Sequence, residues 1–236
     1  MNMRGNIGFI PMRGGSKRLP RKNLLELGGI KICQHVLTAA IESDCFDKIV
    51  VSTDDNEIAK HCKDLDRSIH IDMRPNDLGS DRATVREVIL EFLKRENIKN
   101  ANYETIAIML ATCPFRNSTH IREAYSLLEN HIDNIVGVCE YDFPWKSAIS
   151  INKEQNAEFP INPSPLIEGK TRSQDRSKFY HPNGAIYISR ISSLLKFENY
   201  FAGVMKPYVM TRLDSIDIDE KQDLEYARFL AERKLK

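Results

Sequence analysis

Hydrophobic residues recur along this chain in two alternating rhythms. Short apolar runs stand at Ile7-Gly8-Phe9-Ile10, Lys48 to Ser52, Thr105 to Leu110 and Asn134 to Cys139, with a weaker one near Ile69-His70-Ile71. Each is too short for a helix and reads as a buried strand. Between them the apolar residues fall at three- and four-residue spacing: Ile32, Val36, Leu37, Ala40 and Ile41, then Ile58 and Ala59, then Val85, Val88, Ile89 and Phe92 in a helix from Thr84 to Lys94. Ile121, Tyr125 and Leu128 mark one more helix, started by Ser118 or Thr119. Thr53-Asp54-Asp55 closes a strand and offers N-caps to the next helix, which leaves Asp54 and Asp55 divided between capping and a place near a ligand. Strands alternating with helices predict an α/β fold: a mostly parallel sheet, right-handed crossovers and helices on both faces.

The rhythm breaks at Tyr141. From Asp142 to Pro182 the chain carries Pro144, Pro160, Pro163 and Pro165 and its only tryptophan, Trp145, with little periodicity. A structureless stretch of that length inside a domain is usually functional or an interface. Beyond it, a turn at Pro182-Asn183-Gly184 feeds a strand through Ile188, Leu194 to Phe201 is mixed in character, and Pro207 to Met210 is a short strand. Ile216 to Asp219 precedes a final helix, Glu220 to Lys234. No internal repeat is visible. The 236 residues suit one domain over 1–236, with 142–205 containing an excursion.

Composition narrows the function. A hydrophobic content of 42% supports a real core, and a net charge of +1 leaves no basic body for nucleic acid. Cys33, Cys45, Cys62, Cys113 and Cys139 are scattered without a CxxC pair, so neither a zinc site nor a disulfide framework is signalled, and a reducing cytosol is expected. No run approaches the roughly 20 apolar residues of a membrane span, so no membrane partner is expected.

Against that neutral background, positive charge concentrates after the first strand. Pro11 ends the strand's pairing, Gly14 and Gly15 free the backbone for close approach, and Arg13, Lys17, Arg18, Arg21 and Lys22 surround it. Backbone N–H groups and cations so arranged suit a polyphosphate. The spacing is neither a Walker A loop nor GxGxxG. Near the other end, Asp217 and Asp219 alternate with Ile216 and Ile218. In an extended segment that sends both carboxylates to one side, as a hard divalent cation such as Mg²⁺ requires, although Asp219 with Gln222 also reads as a capping box.

Arg13-Gly-Gly-Ser-Lys-Arg-x-Pro-x-Lys22-Asn23 resembles the nucleotide-binding signature of the cytidylyltransferases that activate nonulosonic acids, the group containing CMP-N-acylneuraminate (CMP-sialic acid) synthetases. Met12 stands where those enzymes usually have Ala. The likeness returns in order at Arg74-Pro75, Asn183-Gly-Ala-Ile-Tyr187 and Asp214-Ser-Ile-Asp217-Ile-Asp219. It implies a Rossmann-like sheet with a small dimerisation excursion in the C-terminal half, a homodimer, and a Mg²⁺-dependent reaction of CTP with a nine-carbon α-keto acid sugar. Phe197 and Phe201, aromatic residues in the segment of mixed periodicity, are divided between anchoring that dimer and packing in the core. Carried over residue by residue, it makes Arg13, Gly14, Gly15, Ser16, Lys17, Lys22, Asn23, Arg74 and Ser80 the nucleotide set. Asp217 and Asp219 become the metal ligands, catalytic together with Arg13 and Lys22. Leu110, Thr112, Arg172, Gln174, His181, Asn183 and Tyr187 fall on the sugar side.

Leu110-Ala111-Thr112-Cys113-Pro114 departs from the Gln-Pro-Thr-Ser-Pro usual in sialic-acid members, removing one amide from the sugar side. Ala-Thr-x-Pro-Phe resembles pseudaminate enzymes, while the Asn183 and aspartate motifs resemble sialic and legionaminic ones. Kdo cytidylyltransferases, typically Leu-Pro-Gly-Lys-Pro after the loop, are more distant. A different sugar nucleotidyltransferase and a non-catalytic nucleotide sensor on the same fold are the competing expectations.

Overall fold

The first strand, β1 (Gly5–Pro11), lies between two others and is buried along Ile7–Ile10. The computed structural model describes residues 5–79, 83–98, 102–169, 172 and 177–234. After β1 come a two-residue hairpin, β2 (Glu26–Leu27) and β3 (Ile30–Lys31), then α1 (Ile32–Ser43), β4 (Lys48–Thr53), α2 (Asn56–Leu65) and β5 (His70–Met73). Next are α3 (Val85–Arg95), β6 (Tyr103–Ile108), α4 (Ser118–Ser126), β7 (Asn134–Glu140) and a small hairpin, β8 (Ser150–Ile151) with β9 (Ala157–Glu158). β10 (Tyr180–Arg190), α5 (Ile191–Phe197), β11 (Met205–Met210) and α6 (Lys221–Lys234) complete the chain.

Seven strands form one sheet in the order β11-β7-β10-β6-β1-β4-β5. All neighbours are parallel except β10, which runs antiparallel to both β6 and β7. Period-two alternation divides the core between the two faces. Ile10, Val51 and Ala107 pack with α1, α2 and α4, whereas Ile7, Phe9, Val50, Ile106 and Ile108 pack with α3 and α5. A third cluster joins α6, through Leu224, Ala227 and Ala231, to Leu19, Leu27, Ile32 and Ile218. It brings the end of the chain against the loop that follows β1.

α4 begins at Ser118, within the expected start, and is capped by Asn117, whose side chain accepts the His120 N–H. Two local expectations change. Ile41, counted on the apolar face of α1, is exposed, since α1 buries Val36, Leu37, Ala39 and Ala40 instead. The mixed segment after Arg190 begins with the short helix α5, and the part of 142–205 that leaves the sheet ends before β10.

Candidate active site

A cleft of about 370 Å³ opens beyond the carboxyl ends of β1, β5 and β6. This is where a mostly parallel open sheet presents its loops to ligands. Arg13, Lys22, Asn23, Arg74, Leu110, Thr112, Asp217 and Asp219 line it together with Pro11, Ala83, Val85, Val88 and Ala111.

The basic loop owes its shape to acidic partners. Gly14 N–H donates to Asp54 Oδ1 at 2.8 Å. Asp55, the N-cap of α2, accepts from Glu57 N and Ile58 N and also takes Arg21 NH1 at 2.7 Å. A Cβ on Gly14 would come within 2.7 Å of Asp55 Cβ, so that glycine admits the neighbouring aspartate rather than a ligand, whereas around Gly15 the space is open. Arg21 sits in the left-handed region (φ 57°), turning the chain into a 3₁₀ turn, Lys22–Leu24, that delivers Lys22 and Asn23 to the cleft. Asn23 is buried and its Nδ2 donates to Arg13 O at 3.0 Å, while its Oδ1 finds no partner among the described residues.

Arg74 is anchored on Ser52, with Nε to Oγ at 3.1 Å and a terminal nitrogen to the carbonyl at 2.8 Å. Desolvation lowers its pKa, opposed by the charges of Asp54 and Asp72.

The acidic segment is held by Ile218, whose N–H donates to Thr112 O at 2.9 Å and whose side chain is buried beside Leu19. Its carboxylates differ. Asp219 accepts Lys22 Nζ at 2.7 Å and Arg18 NH2 at 2.6 Å. Desolvation acts to raise its pKa, but the two cations outweigh that and hold it below the usual carboxylate range. Asp217 opens to the cleft, yet crowding by protein around it raises its carboxyl, with the Thr112 hydroxyl and Lys22 pulling the other way and Asp219 adding to the rise. The expected capping box is absent at Asp219. Asp223 Oδ2 instead accepts the Asp219 and Glu220 N–H groups at 2.9 and 2.8 Å, so capping does not account for the Asp219 carboxylate.

Other expected residues lie elsewhere. Gly14, Gly15, Ser16 and Lys17 sit on the loop without lining the cleft. Asn183 and Tyr187, expected on the sugar side, are buried and satisfied internally. Asn183 Nδ2 donates to Ser215 Oγ at 2.9 Å and its Oδ1 accepts Ala185 N–H, and the Tyr187 hydroxyl accepts Gly184 N–H at 2.7 Å. His181 is half-buried against the Tyr141 ring, and Arg172 is exposed; neither lines the cleft. Ser80 and Gln174 lie outside the described residues.

Sequence reasoning did not find Arg116. It is 2% exposed, links Leu110 O and Ala185 O, and so fixes the wall of the cleft to β10. Desolvation lowers its pKa to about 10. Its place in Phe115-Arg116-Asn117, beside a helix start, gave no sign of burial.

Relatives match most of the chain. A pseudaminic acid cytidylyltransferase of Campylobacter jejuni is 30% identical over 226 residues, covering 95% of each chain. An N-acylneuraminate cytidylyltransferase of Streptococcus agalactiae is 34% identical over 223 residues, covering 92% of this chain and 51% of its own, so this chain spans about half of that relative's length. The fold is similar to a solved structure of CMP:2-keto-3-deoxy-manno-octonic acid synthetase complexed with CTP, with a TM-score of 0.69 at 17% identity, covering 98% of this chain and 99% of the other. The family model for cytidylyltransferases matches residues 7–235, a span that takes in both the basic loop and the acidic segment, and the chain belongs to that family.

Proposed function

We propose that this chain transfers CMP from CTP to the anomeric hydroxyl of a nonulosonic acid, sialic acid or a close relative such as legionaminic acid, releasing pyrophosphate. The observation that carries this is the meeting, in one cleft, of Lys22, Arg13 and Arg74 with Asp217 and Asp219. Cations suited to a triphosphate there face carboxylates suited to Mg²⁺.

Arg13 and Lys22 take the phosphate charge that grows on the leaving group, and Arg74, fixed by Ser52, offers a third cation from the opposite wall. Asn23 Oδ1 is a buried acceptor without a partner among the described residues, so it suits a hydroxyl or amino donor of the nucleoside rather than a phosphate. No group of three or more His, Cys, Asp and Glu is arranged for a metal among the described residues. Two carboxylates are enough for Mg²⁺, which completes its octahedron with water and substrate phosphate. When bound, the ion supplies a Lewis acid for the α-phosphate or the attacking hydroxyl. Thr112 orients Asp217 for that role, and Lys22 holds Asp219 in place until it is used.

Pseudaminic acid is the second reading. The near-full-length match to the Campylobacter jejuni pseudaminic acid enzyme favours it, as does the apolar wall that Leu110 and Ala111 give the cleft. We place the reaction in the cytosol, since among the described residues no helix is long and apolar enough to cross a membrane and the cysteine pattern suits a reducing compartment. A homodimer through 142–205 fits the exposed apolar residues of the excursion, with Phe143 and Ile151 at 77% and 70% exposure. Phe197 and Phe201 are only half-exposed, and Phe201 packs edge-on against Tyr187 at 5.4 Å.

The test is pyrophosphate release from CTP with Mg²⁺ against sialic, legionaminic, pseudaminic and octulosonic acids. Turnover with one nine-carbon acid and none with a hexose 1-phosphate is expected. CTP binding without turnover of any keto acid sugar would overturn the reading.

A further inference from the structure

Asp54 has no place in the cleft, yet the basic loop is built on it. It follows β4 directly and precedes the cap of α2, so its backbone is held between the sheet and the first turn of that helix. Its Oδ1 accepts the Gly14 N–H at 2.8 Å, one residue beyond Arg13. On its other side a Cβ on Gly79 would stand 3.1 Å from Asp54 Oδ2 and 3.2 Å from its Cβ, so the carboxylate lies close against that loop as well. Its charge also acts on Arg74, which runs to Ser52 in the same strand. One exposed carboxylate thus touches two loops bordering the cleft and influences a cation lining it.

A carboxylate beside a site for a triphosphate is electrostatically unfavourable, since like charges a few ångströms apart repel. An amide or hydroxyl could accept the Gly14 N–H without that penalty. The carboxylate accepts it more strongly, because hydrogen bonds to an ionised acceptor are shorter and about twice as strong as neutral ones. Arg21 on Asp55 and Glu57 fastens the far end of the same loop, and between the two ends Arg18 reaches Asp219 and Glu220 while Leu19 is buried against α6.

We infer that Asp54 is a positioning residue for the nucleotide: by holding the Gly14 amide it sets where Arg13 and the following backbone N–H groups meet the phosphates. The inference rests on the proposed CTP reading and goes further, because it makes the grip on phosphate depend on a residue outside the cleft.

The experiment compares Asp54→Ala, Asp54→Asn and the unaltered chain. Calorimetric titration with CTP and Mg²⁺ and steady-state KM for CTP and for the sugar are measured alongside amide exchange at Gly14. In Asp54→Ala the Gly14 amide loses protection and CTP binding weakens about tenfold, the scale of a lost hydrogen bond to a charged group. The KM for the sugar stays within about twofold, as for changes that do not touch it. Asp54→Asn keeps an acceptor and restores most of the CTP affinity. Three results overturn the inference: unchanged CTP affinity in Asp54→Ala, equal losses for CTP and sugar, or an Asp54→Asn as defective as Asp54→Ala, which would assign the charge itself a ligand role. If the unaltered chain binds no CTP, the functional reading fails. Gly14 exchange in Asp54→Ala then decides whether Asp54 holds the loop, and unchanged protection overturns that as well.

Discussion

The basic loop and the excursion at 141–179 lie on the same chain and are stabilised in opposite ways. In the loop, Gly14, Arg18, Arg21, Lys22 and Asn23 each have a partner within the chain, supplied by Asp54, Asp55, Glu57, Asp219, Glu220 or the backbone. The excursion is fastened at its neck, where Tyr180 pairs with Glu140, Lys178 bridges to Glu140 and Trp145 meets Phe179 edge-on at 5.4 Å. Farther out it exposes Phe143, Ile151 and Ile167. Charge can be organised by single contacts at fixed distances, but apolar surface is relieved only by area. The loop can therefore be finished by one chain, and the excursion asks for another surface.

The strongest way to break this comparison is at the loop. Lys22→Ala or Arg13→Ala is expected to lower kcat/KM about 10²–10³-fold with an unchanged circular dichroism spectrum, as for removal of a donor that meets developing charge. Near-normal kcat/KM in either variant removes the phosphate role.

The excursion is tested by its assembly. A triple change of Phe143, Ile151 and Ile167 to Ser is expected to turn a dimer into a monomer in light scattering while each chain keeps its melting transition. A dimer that survives, or an unaltered chain that is already monomeric, removes this surface from the interface.

The smallest effects sharpen the division within the cleft, because the two aspartates carry opposite signs. Asp217 titrates higher in the fold than in the unfolded chain, so the folded state binds its proton more tightly and stability falls as pH rises from the ordinary carboxylate pKa through the raised one. Asp219 titrates lower, so its contribution is present above the ordinary pKa and is lost as pH falls through the depressed one. At pH 7 Asp217→Asn should raise the melting temperature and Asp219→Asn should lower it, both differences shrinking toward pH 3, and both variants should lose activity. A rise in both at pH 7 would mean that the cations on Asp219 add nothing to the fold, and a fall in both that burial of the Asp217 carboxylate costs nothing.

Much of this architecture could be read from residue pattern. The runs at Ile7–Ile10, Lys48–Ser52 and Asn134–Cys139 are strands because apolar β-branched segments of that length have no other place to be buried. The pairing of loop and acidic segment was legible as chemistry, since five cations and two alternating aspartates stand out against a neutral chain. Asp54 was not separable from Asp55, because adjacent aspartates after a strand look alike until one caps the helix and the other turns to Gly14. Arg116 was invisible, because a lone arginine beside a helix start is normally solvated. Asn183 and Tyr187 were identified by motif alone, and a motif does not say which side of a strand faces the ligand. Both face inward, in a strand that carries a register shift between Pro182 and Tyr187.

The antiparallel placement of β10 has a consequence for how the molecule comes into being. β6 and β7 each pair with β10 and not with one another, so the sheet consists of two unconnected pieces until residues 180–190 have left the ribosome. Before then β6 presents an open edge whose Ile106, Ala107 and Ile108 are apolar, the kind of template that recruits other chains. The excursion, made just before β10, sets how long that edge stays open. Its length is therefore a kinetic quantity as well as a structural one, and lengthening it should delay closure while leaving the order of the seven strands unchanged.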